Sequence, residues 1–165
     1  MPRRKIIGVM GGAEVSPEVQ AMAEEMGRRI AEAGFALLTG GRPAGVMEAA
    51  SRGAKKAQGL VVGILPGPDP DEASPFVDIA IATNLQDARN LANVLSCDVV
   101  IACPGGAGTL TEVGMAIKNR KPLVLLGFDP GPVKDSAFRA GLAVSVKSPA
   151  EAMAAVQDFL QRPKK

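Results

Sequence analysis

Residues 98–117 read DVVIACPGGAGTLTEVGMAI, in which an apolar run is followed by a glycine-rich turn and then by a second apolar stretch. The run at 98–102 is short and almost free of polar residues, which is typical of a strand buried on both faces of a parallel sheet. The segment after the glycines predicts a helix that ends near Lys118. The stretch therefore predicts one strand–turn–helix unit of an α/β fold.

The same alternation runs along the rest of the chain. Further short apolar runs predict strands at 5–9, 35–38, 60–65, 77–82, 122–126 and 143–146, the last of them short and at an edge. Longer amphipathic segments predict helices over 16–34, 45–57 and near 85–95, and a last helix after a capping box formed by Ser148 and Glu151. We predict a single doubly wound Rossmann-like domain over residues 1–165, with a mainly parallel sheet flanked by helices.

The composition limits the classes of function. The chain has no His, which excludes Ser-His-Asp and Cys-His nucleophilic sites and histidine metal ligands, and its two Cys are too few for a zinc site. The net charge of +2 depends on six basic residues near the ends, without which 13 basic residues face 17 acidic ones. These six are Arg3, Arg4, Lys5, Arg162, Lys164 and Lys165. We therefore expect no nucleic-acid partner and no protein-bound metal.

The apolar runs are also informative about the compartment. None of them approaches the roughly 18 residues that a membrane helix needs. Cys97 and Cys103 are expected to be reduced and half-buried. The sequence thus predicts a cytoplasmic protein without a membrane partner.

Three glycine-rich turns follow predicted strands, and each leads towards a helix. They are Gly11–Gly12, Gly40–Gly41 and the turn that contains Gly105, Gly106 and Gly108. In doubly wound sheets, ligands bind beyond the carboxyl ends of the strands, and helix starts add unpaired N–H groups with a partial positive charge. We predict that these turns bind a phosphate-bearing anion, with Thr109 adding a hydroxyl donor. A purely structural role stays open, because tight turns also use glycine.

Two nucleotide-binding motifs are incomplete in this chain. GGRPAGVM at 40–47 has the glycine spacing of a Walker loop, but Val46 and Met47 replace its Lys and its Ser or Thr. GGAGTL lacks the third glycine of the dinucleotide fingerprint, and the second strand ends in Thr39 and Gly40 rather than in the acid that binds a ribose. We expect neither NAD binding nor ATP hydrolysis.

Arg89 and Glu112 are the candidate charged residues. Glu112 lies one turn into the predicted anion-binding helix, where a carboxylate favours the helix dipole but repels a phosphate. It therefore either supports the helix start or faces another part of the ligand, such as a sugar hydroxyl, a ring nitrogen or a developing cation. Arg89 lies on the preceding helix and is either solvated or in contact with a phosphate or a pterin.

Two paired motifs carry a family resemblance. LLTGGRPAGVMEAA at 37–50 and PGGAGTLTE at 104–112 resemble the GG…GVM and PGGxGTxxE signature of the LOG-like Rossmann proteins, once loosely labelled lysine decarboxylases. The resemblance spans about residues 6–126, and segments such as IIGVMG, GAKKA, GILPGPD and VDIAIAT are most similar to the molybdenum cofactor carrier proteins. With it, the predicted ligand-binding residues are Gly11, Gly12, Gly40, Gly41, Arg42, Gly45, Thr83, Arg89, Pro104, Gly105, Gly106, Gly108 and Thr109.

The resemblance implies two functions. In the LOG phosphoribohydrolases, an Arg and the Glu that ends PGGxGTxxE cleave the N-glycosidic bond of a nucleoside 5′-monophosphate, and the matching positions are Arg89 and Glu112. A carboxylate can stabilise the oxocarbenium-like state of that cleavage. Those enzymes usually carry two consecutive acids and often a Lys after the Arg, where this chain has Thr111 and Asn90. In the carriers, a similar fold holds molybdopterin, whose phosphate and oxo-molybdenum groups are anionic and need no catalytic acid.

We predict a molybdenum cofactor carrier, with the phosphoribohydrolase as the alternative. The resemblance further implies a homodimer or homotetramer, and the carrier function implies molybdenum enzymes as partners. Binding of another nucleotide stays open. So does a structural or interaction module, which predicts no ordered anion at the glycine turns.

Overall fold

Seven short strands form one sheet in the computed structural model, which describes residues 2–163. They are β1 (Ile6–Met10), β2 (Ala36–Thr39), β3 (Val61–Leu65), β4 (Ile79–Ala82), β5 (Val99–Ala102), β6 (Leu123–Leu126) and β7 (Ala143–Val146). Each strand begins and ends within two residues of its predicted bounds. Lys164 and Lys165, two of the basic residues named above, lie outside the described residues.

The strand order locates the place where a ligand is expected. The order is β4-β3-β2-β1-β5-β6-β7, and every neighbouring pair is parallel. The chain moves outward from β1 to β4 and then returns to the other side of β1 as β5, so the strand order reverses between β1 and β5. The predicted α/β Rossmann-like fold is confirmed, and this reversal is where such sheets bind ligands.

Helices cover both faces of the sheet. They are α1 (Pro17–Glu32), α2 (Gly45–Lys56), α3 (Arg89–Ser96), α4 (Ala107–Lys118), α5 (Asp135–Arg139) and α6 (Pro149–Gln161). One apolar cluster joins the sheet to α1, α2 and α6, and a second joins it to α3, α4 and α5. Within residues 2–163, no helix combines the length and the apolar character needed to cross a membrane.

The helix ends agree with the predicted caps. The Ser16 hydroxyl accepts a hydrogen bond from the Val19 N–H at 3.3 Å, at the start of α1. At the start of α6, the Ser148 hydroxyl accepts from the Glu151 N–H at 3.2 Å, and the Glu151 carboxylate accepts from the Lys147 N–H at 2.8 Å. Both caps are confirmed. The helix predicted near 85–95 begins later, at Arg89, because a 3-10 turn (Gln86–Ala88) precedes it.

Candidate functional site

A pocket of about 280 Å³ lies at the carboxyl ends of β1 and β5. The turns after β1, β2 and β5 meet there, together with the first residues of α3 and α4. The predicted residues that line it are Gly11, Gly12, Gly40, Arg42, Arg89, Gly106, Gly108, Thr109 and Glu112. The three glycine-rich turns therefore converge on one pocket, and both candidate charged residues lie in its wall.

The remaining predicted residues do not line the pocket. They are Gly41, Gly45, Thr83, Pro104 and Gly105, none of which is among the lining residues. Gly41 has a φ of +77° and packs against Gly63, whose Cα would lie 3.0 Å from a side chain at position 41. The Thr83 hydroxyl donates to the Leu65 carbonyl at 2.7 Å, which ties it to β3.

Pro104, Gly105 and Gly45 join the turns to one another. The Gly12 N–H donates to the Pro104 carbonyl at 3.0 Å, and a side chain at Gly105 would lie 2.7 Å from the same Gly12 nitrogen. The Val46 N–H donates to the Gly12 carbonyl at 3.0 Å, while Gly45 takes a φ of +50° beside this turn. These contacts hold the three turns together, although Pro104, Gly105 and Gly45 do not line the pocket themselves.

The start of α4 differs from the starts of α1 and α2, the helices that follow the other two glycine-rich turns. Gly106 is the N-cap of α4, no side chain of the described residues caps that helix, and a Cβ at Gly106 or Gly108 would meet open space. By contrast, Ser16 caps α1, and the Gly12 carbonyl takes the Val46 N–H of α2. The first-turn amides of α4 are thus the helix-start donors that the pocket can offer to an anion.

Arg89 is a buried cation that forms no ion pair in the described part of the chain. The residue is 8% exposed, and its Nε has no hydrogen-bond partner among residues 2–163. Burial lowers the pKa of Arg89, the charge of Glu112 opposes that effect, and the second pocket cation Arg42 adds to it. An arginine still stays protonated at neutral pH, since its ordinary pKa exceeds 12. The pocket therefore presents a desolvated guanidinium to an incoming anion.

Glu112 is a buried acid in the same wall. It is 6% exposed, and its Oε1 accepts a hydrogen bond from the Asn93 amide at 3.3 Å. Burial raises the pKa of Glu112 to about 7, against the opposing effects of the Asn93 hydrogen bond and the Arg89 charge. Both protonation states are thus populated near neutral pH, which is the condition for general acid–base chemistry.

Some site residues were not predicted. Met47 and Asp87 line the pocket, and Asn93 holds Glu112 from behind it. Asn93 could have been found, because it lies four residues after Arg89 and so shares its helix face. Asp87 lies in the 3-10 turn before α3, whose orientation no sequence pattern indicates. In residues 2–163, no three His, Cys, Asp or Glu residues are grouped as a metal site.

Comparisons with known proteins agree with this geometry. A model of the SLOG cluster4 family matches residues 4–153. The chain belongs to this family. The LOG-like relationship predicted from the paired glycine motifs is thereby confirmed.

Solved structures of two molybdenum cofactor proteins share this SLOG cluster4 fold. The molybdenum cofactor binding protein of Rippkaea orientalis has a TM-score of 0.90 and 46% identity, and the match covers 96% of this chain and 99% of that one. The molybdenum cofactor carrier protein of Chlamydomonas reinhardtii has a TM-score of 0.89 and 45% identity, over 97% of this chain and 100% of that one.

A plant relative is more distant. A probable cytokinin riboside 5′-monophosphate phosphoribohydrolase of Oryza sativa subsp. japonica is 32% identical over 118 residues. The match covers 67% of this chain and 48% of the rice protein, so this chain spans about half the length of that relative.

Proposed function

We propose that this SLOG cluster4 protein binds the molybdenum cofactor and acts as its carrier. The observation that carries the proposal is the Arg89 guanidinium, which is buried in the pocket wall, forms no ion pair among residues 2–163 and has an Nε without a hydrogen-bond partner there. An unpaired buried charge destabilises a folded protein, and a bound anion would offset that cost. The similarity to the two cofactor proteins supports this choice of ligand.

The donor set fits a ligand with more than one anionic group. Arg89 and Arg42 offer forked N–H groups, and the uncapped start of α4 offers main-chain amides. A few charge-assisted hydrogen bonds of roughly 1.5–3 kcal/mol each are enough for micromolar binding, which needs about 8 kcal/mol. The pocket of about 280 Å³ is close to the lower end of the range for small-molecule sites, roughly 300–1,000 Å³.

A protection assay tests the carrier proposal. Cofactor released anaerobically from a molybdenum enzyme is mixed with the protein and exposed to air, and the surviving cofactor is measured by reactivation of an apo-enzyme. We expect slower decay than with albumin and loss of the protection in Arg89→Gln. The exposed Arg4 provides the matched control Arg4→Gln, which should protect like the wild type. Equal decay with and without the protein would contradict the proposal.

Hydrolysis of a nucleoside 5′-monophosphate is the second candidate function, favoured by one specific observation. Arg89 and Glu112 line the same pocket, and burial gives Glu112 a pKa near 7. In this function Arg89 would bind the 5′-phosphate, and ionised Glu112 would stabilise the oxocarbenium-like state at the sugar. The rice relative is consistent with this chemistry.

The positions that differ from the hydrolases favour the carrier. The Asn90 amide donates to the Thr111 hydroxyl at 3.3 Å, and that hydroxyl donates to the Gly108 carbonyl at 2.6 Å. A neutral pair therefore stands where the hydrolases usually have a Lys and an acid. A carrier needs neither charge.

Incubation with AMP and N6-modified AMP separates the two functions. A hydrolase releases free base and loses this activity in Glu112→Gln, whereas a carrier releases none.

We also propose that the protein forms a homodimer or homotetramer in the cytoplasm and transfers the cofactor to molybdenum enzymes. Apolar side chains are exposed on β4 and on the outer side of α3, namely Ile79, Ile81, Leu91 and Leu95. A second copy of the chain would cover such a surface. Light scattering should report an oligomer for the wild type and a smaller species for Leu95→Glu. A monomeric wild type would refute self-association.

A further inference from the structure

Asn93 is a fully buried amide whose only side-chain partner in the described part of the protein is Glu112. Asn93 lies on α3 with 0% exposure, and its Nδ2 donates to Glu112 Oε1 at 3.3 Å. Its Oδ1 is buried and has no hydrogen-bond partner among residues 2–163. An apolar residue of similar shape would avoid the cost of burying an unsatisfied amide. The position therefore calls for an explanation beyond packing.

We propose that Asn93 is a positioning residue that holds the Glu112 carboxyl in the pocket wall in both its ionised and its protonated form. The Nδ2 group donates to the carboxylate as seen in the structure. When Glu112 is protonated, rotation of the amide presents the otherwise unpaired Oδ1 as the acceptor for its O–H. An amide can serve both forms in this way, whereas leucine can serve neither. The importance of Glu112 to ligand binding rests on the proposed function, but the contact itself does not.

The other groups around Glu112 cannot replace this role. Arg89 lies on α3 like Asn93 and favours the ionised form through its charge. The Cys97 thiol, also near Glu112, is buried with its pKa raised to about 12 and stays neutral. Arg42 and Asp87, a basic and an acidic residue, also line the pocket, but neither is hydrogen-bonded to Glu112 among residues 2–163. Among residues 2–163, Asn93 is the side chain hydrogen-bonded to Glu112.

A carboxyl titration in the unliganded protein tests the positioning role. The side-chain carboxyl carbons of Glu are labelled with ¹³C and followed by NMR from pH 4 to 9, with Glu112→Gln assigning the signal. In Asn93→Leu the pKa of Glu112 should rise by about half a unit to one unit, because a hydrogen bond to the charged form is the stronger of the two that are lost. Asn93→Ala should shift it in the same direction if the leucine variant does not fold. No shift or a downward shift overturns the proposal.

Two further measurements separate positioning from general damage. Val94→Ala, at a fully buried neighbour on the same helix, should lower stability but leave the pKa of Glu112 within about 0.3 units. In the wild type, the side-chain ¹⁵N signal of Asn93 should titrate with the midpoint of Glu112 and cease to do so in Glu112→Gln. If the chemical shift of the Asn93 side-chain ¹⁵N signal does not change at the pH at which Glu112 titrates, the amide rotation is refuted.

The pH dependence of cofactor retention links the contact to the site. Ionised Glu112 repels a bound anion, so retention should fall above the pKa of Glu112, and in Asn93→Leu it should fall at a correspondingly higher pH. Cofactor decay that is the same with and without protein refutes the carrier proposal but leaves the NMR result intact. An unchanged Glu112 titration in Asn93→Leu refutes the positioning role even if the protein binds cofactor.

Discussion

Gly40→Ala tests whether the Arg89 guanidinium contacts the ligand, because that group lies against the bare Cα of Gly40. A Cβ built at position 40 lies 3.1 Å from Arg89 Cζ, nearer still to Nη1, and 2.8 Å from Met47 Sδ. Non-bonded heavy atoms settle roughly 3.5–4.0 Å apart, so the guanidinium must move by about 1 Å. Both obstacles are ends of flexible side chains, and Gly40 is not among the residues with positive φ. The substitution should therefore displace Arg89 without obstructing the fold.

The displacement sets the expected loss of affinity. A charge-assisted N–H···O bond requires about 2.7–2.9 Å, so a shift of about 1 Å breaks it. One such bond contributes roughly 1.5–3 kcal/mol, which corresponds to a Kd raised about 10- to 150-fold. The free energy of unfolding should change little. Alanine lowers the conformational entropy of the unfolded chain, which stabilises the folded protein by about 0.4–1 kcal/mol, and the contacts that the displaced side chains lose offset this gain. The free energy of unfolding should stay within about 1 kcal/mol of wild type.

Titration calorimetry with AMP and the cofactor-retention assay measure binding, and urea unfolding measures stability. Gly114→Ala is the matched control, because Gly114 lies within α4, has open space at its Cβ and does not line the pocket. It should stabilise the protein by up to about 1 kcal/mol and bind as the wild type does. If folded Gly40→Ala binds both anions as tightly as the wild type, Arg89 does not contact the ligand and the proposed anion-binding role of the pocket is wrong.

Three further substitutions test the charges and the turns. Glu112→Gln should stabilise the unliganded protein at pH 8 by up to about 3 kcal/mol and not at pH 4.5, as measured by urea unfolding. The folded pKa of about 7 exceeds the ordinary 4.5, so the contribution of the carboxyl to stability falls as pH rises between these values; equal effects at both pH values would contradict this. Gly45→Ala should cost roughly 2 kcal/mol or more, because φ is +50° and the Gly12 and Ala13 carbonyls abut that site; an unchanged Tm would refute it. Asp98→Asn should cost about 1–2 kcal/mol at pH 7, because Asp98 pairs with Arg3 and Lys5 and accepts from the Ile6 N–H. Burial raises the pKa of Asp98, but these bonds outweigh it and lower the pKa to about 2, so the contribution is lost as pH falls through about 2; a difference from wild type that persists below pH 2 would contradict this.

The strands could be predicted because each is a short apolar run between glycine, proline or polar residues. β5 shows this well, since all four of its residues are buried. β4 begins at Ile79 rather than at 77, because the Asp78 side chain accepts the Val61 N–H at 2.8 Å and Val77 packs over Gly63. No local pattern reveals such contacts. α5 was not predicted because its five residues are too few to show a helical period.

The pocket could be predicted only in part. The convergence of the glycine turns follows from the sheet, because parallel strands bring their carboxyl ends to one edge. The role of each individual glycine cannot be derived from the order of the strands. Gly40 and Gly41 are adjacent, yet Gly40 lines the pocket beneath Arg89 while Gly41 packs against Gly63 with a φ of +77°. This division depends on tertiary contacts that lie far apart in the sequence.

The protonation of Glu112 gives the two candidate functions opposite pH dependences. Below a pKa of about 7 the carboxyl is neutral, and the cations Arg42 and Arg89 attract an anion without opposition from Glu112. Retention of an anionic cofactor should therefore be strongest in that range. Cleavage of an N-glycosidic bond instead needs ionised Glu112 to stabilise the positive charge that develops on the sugar, so its rate should rise through pH 7. A profile that falls with pH supports the carrier, and one that rises with pH supports the hydrolase.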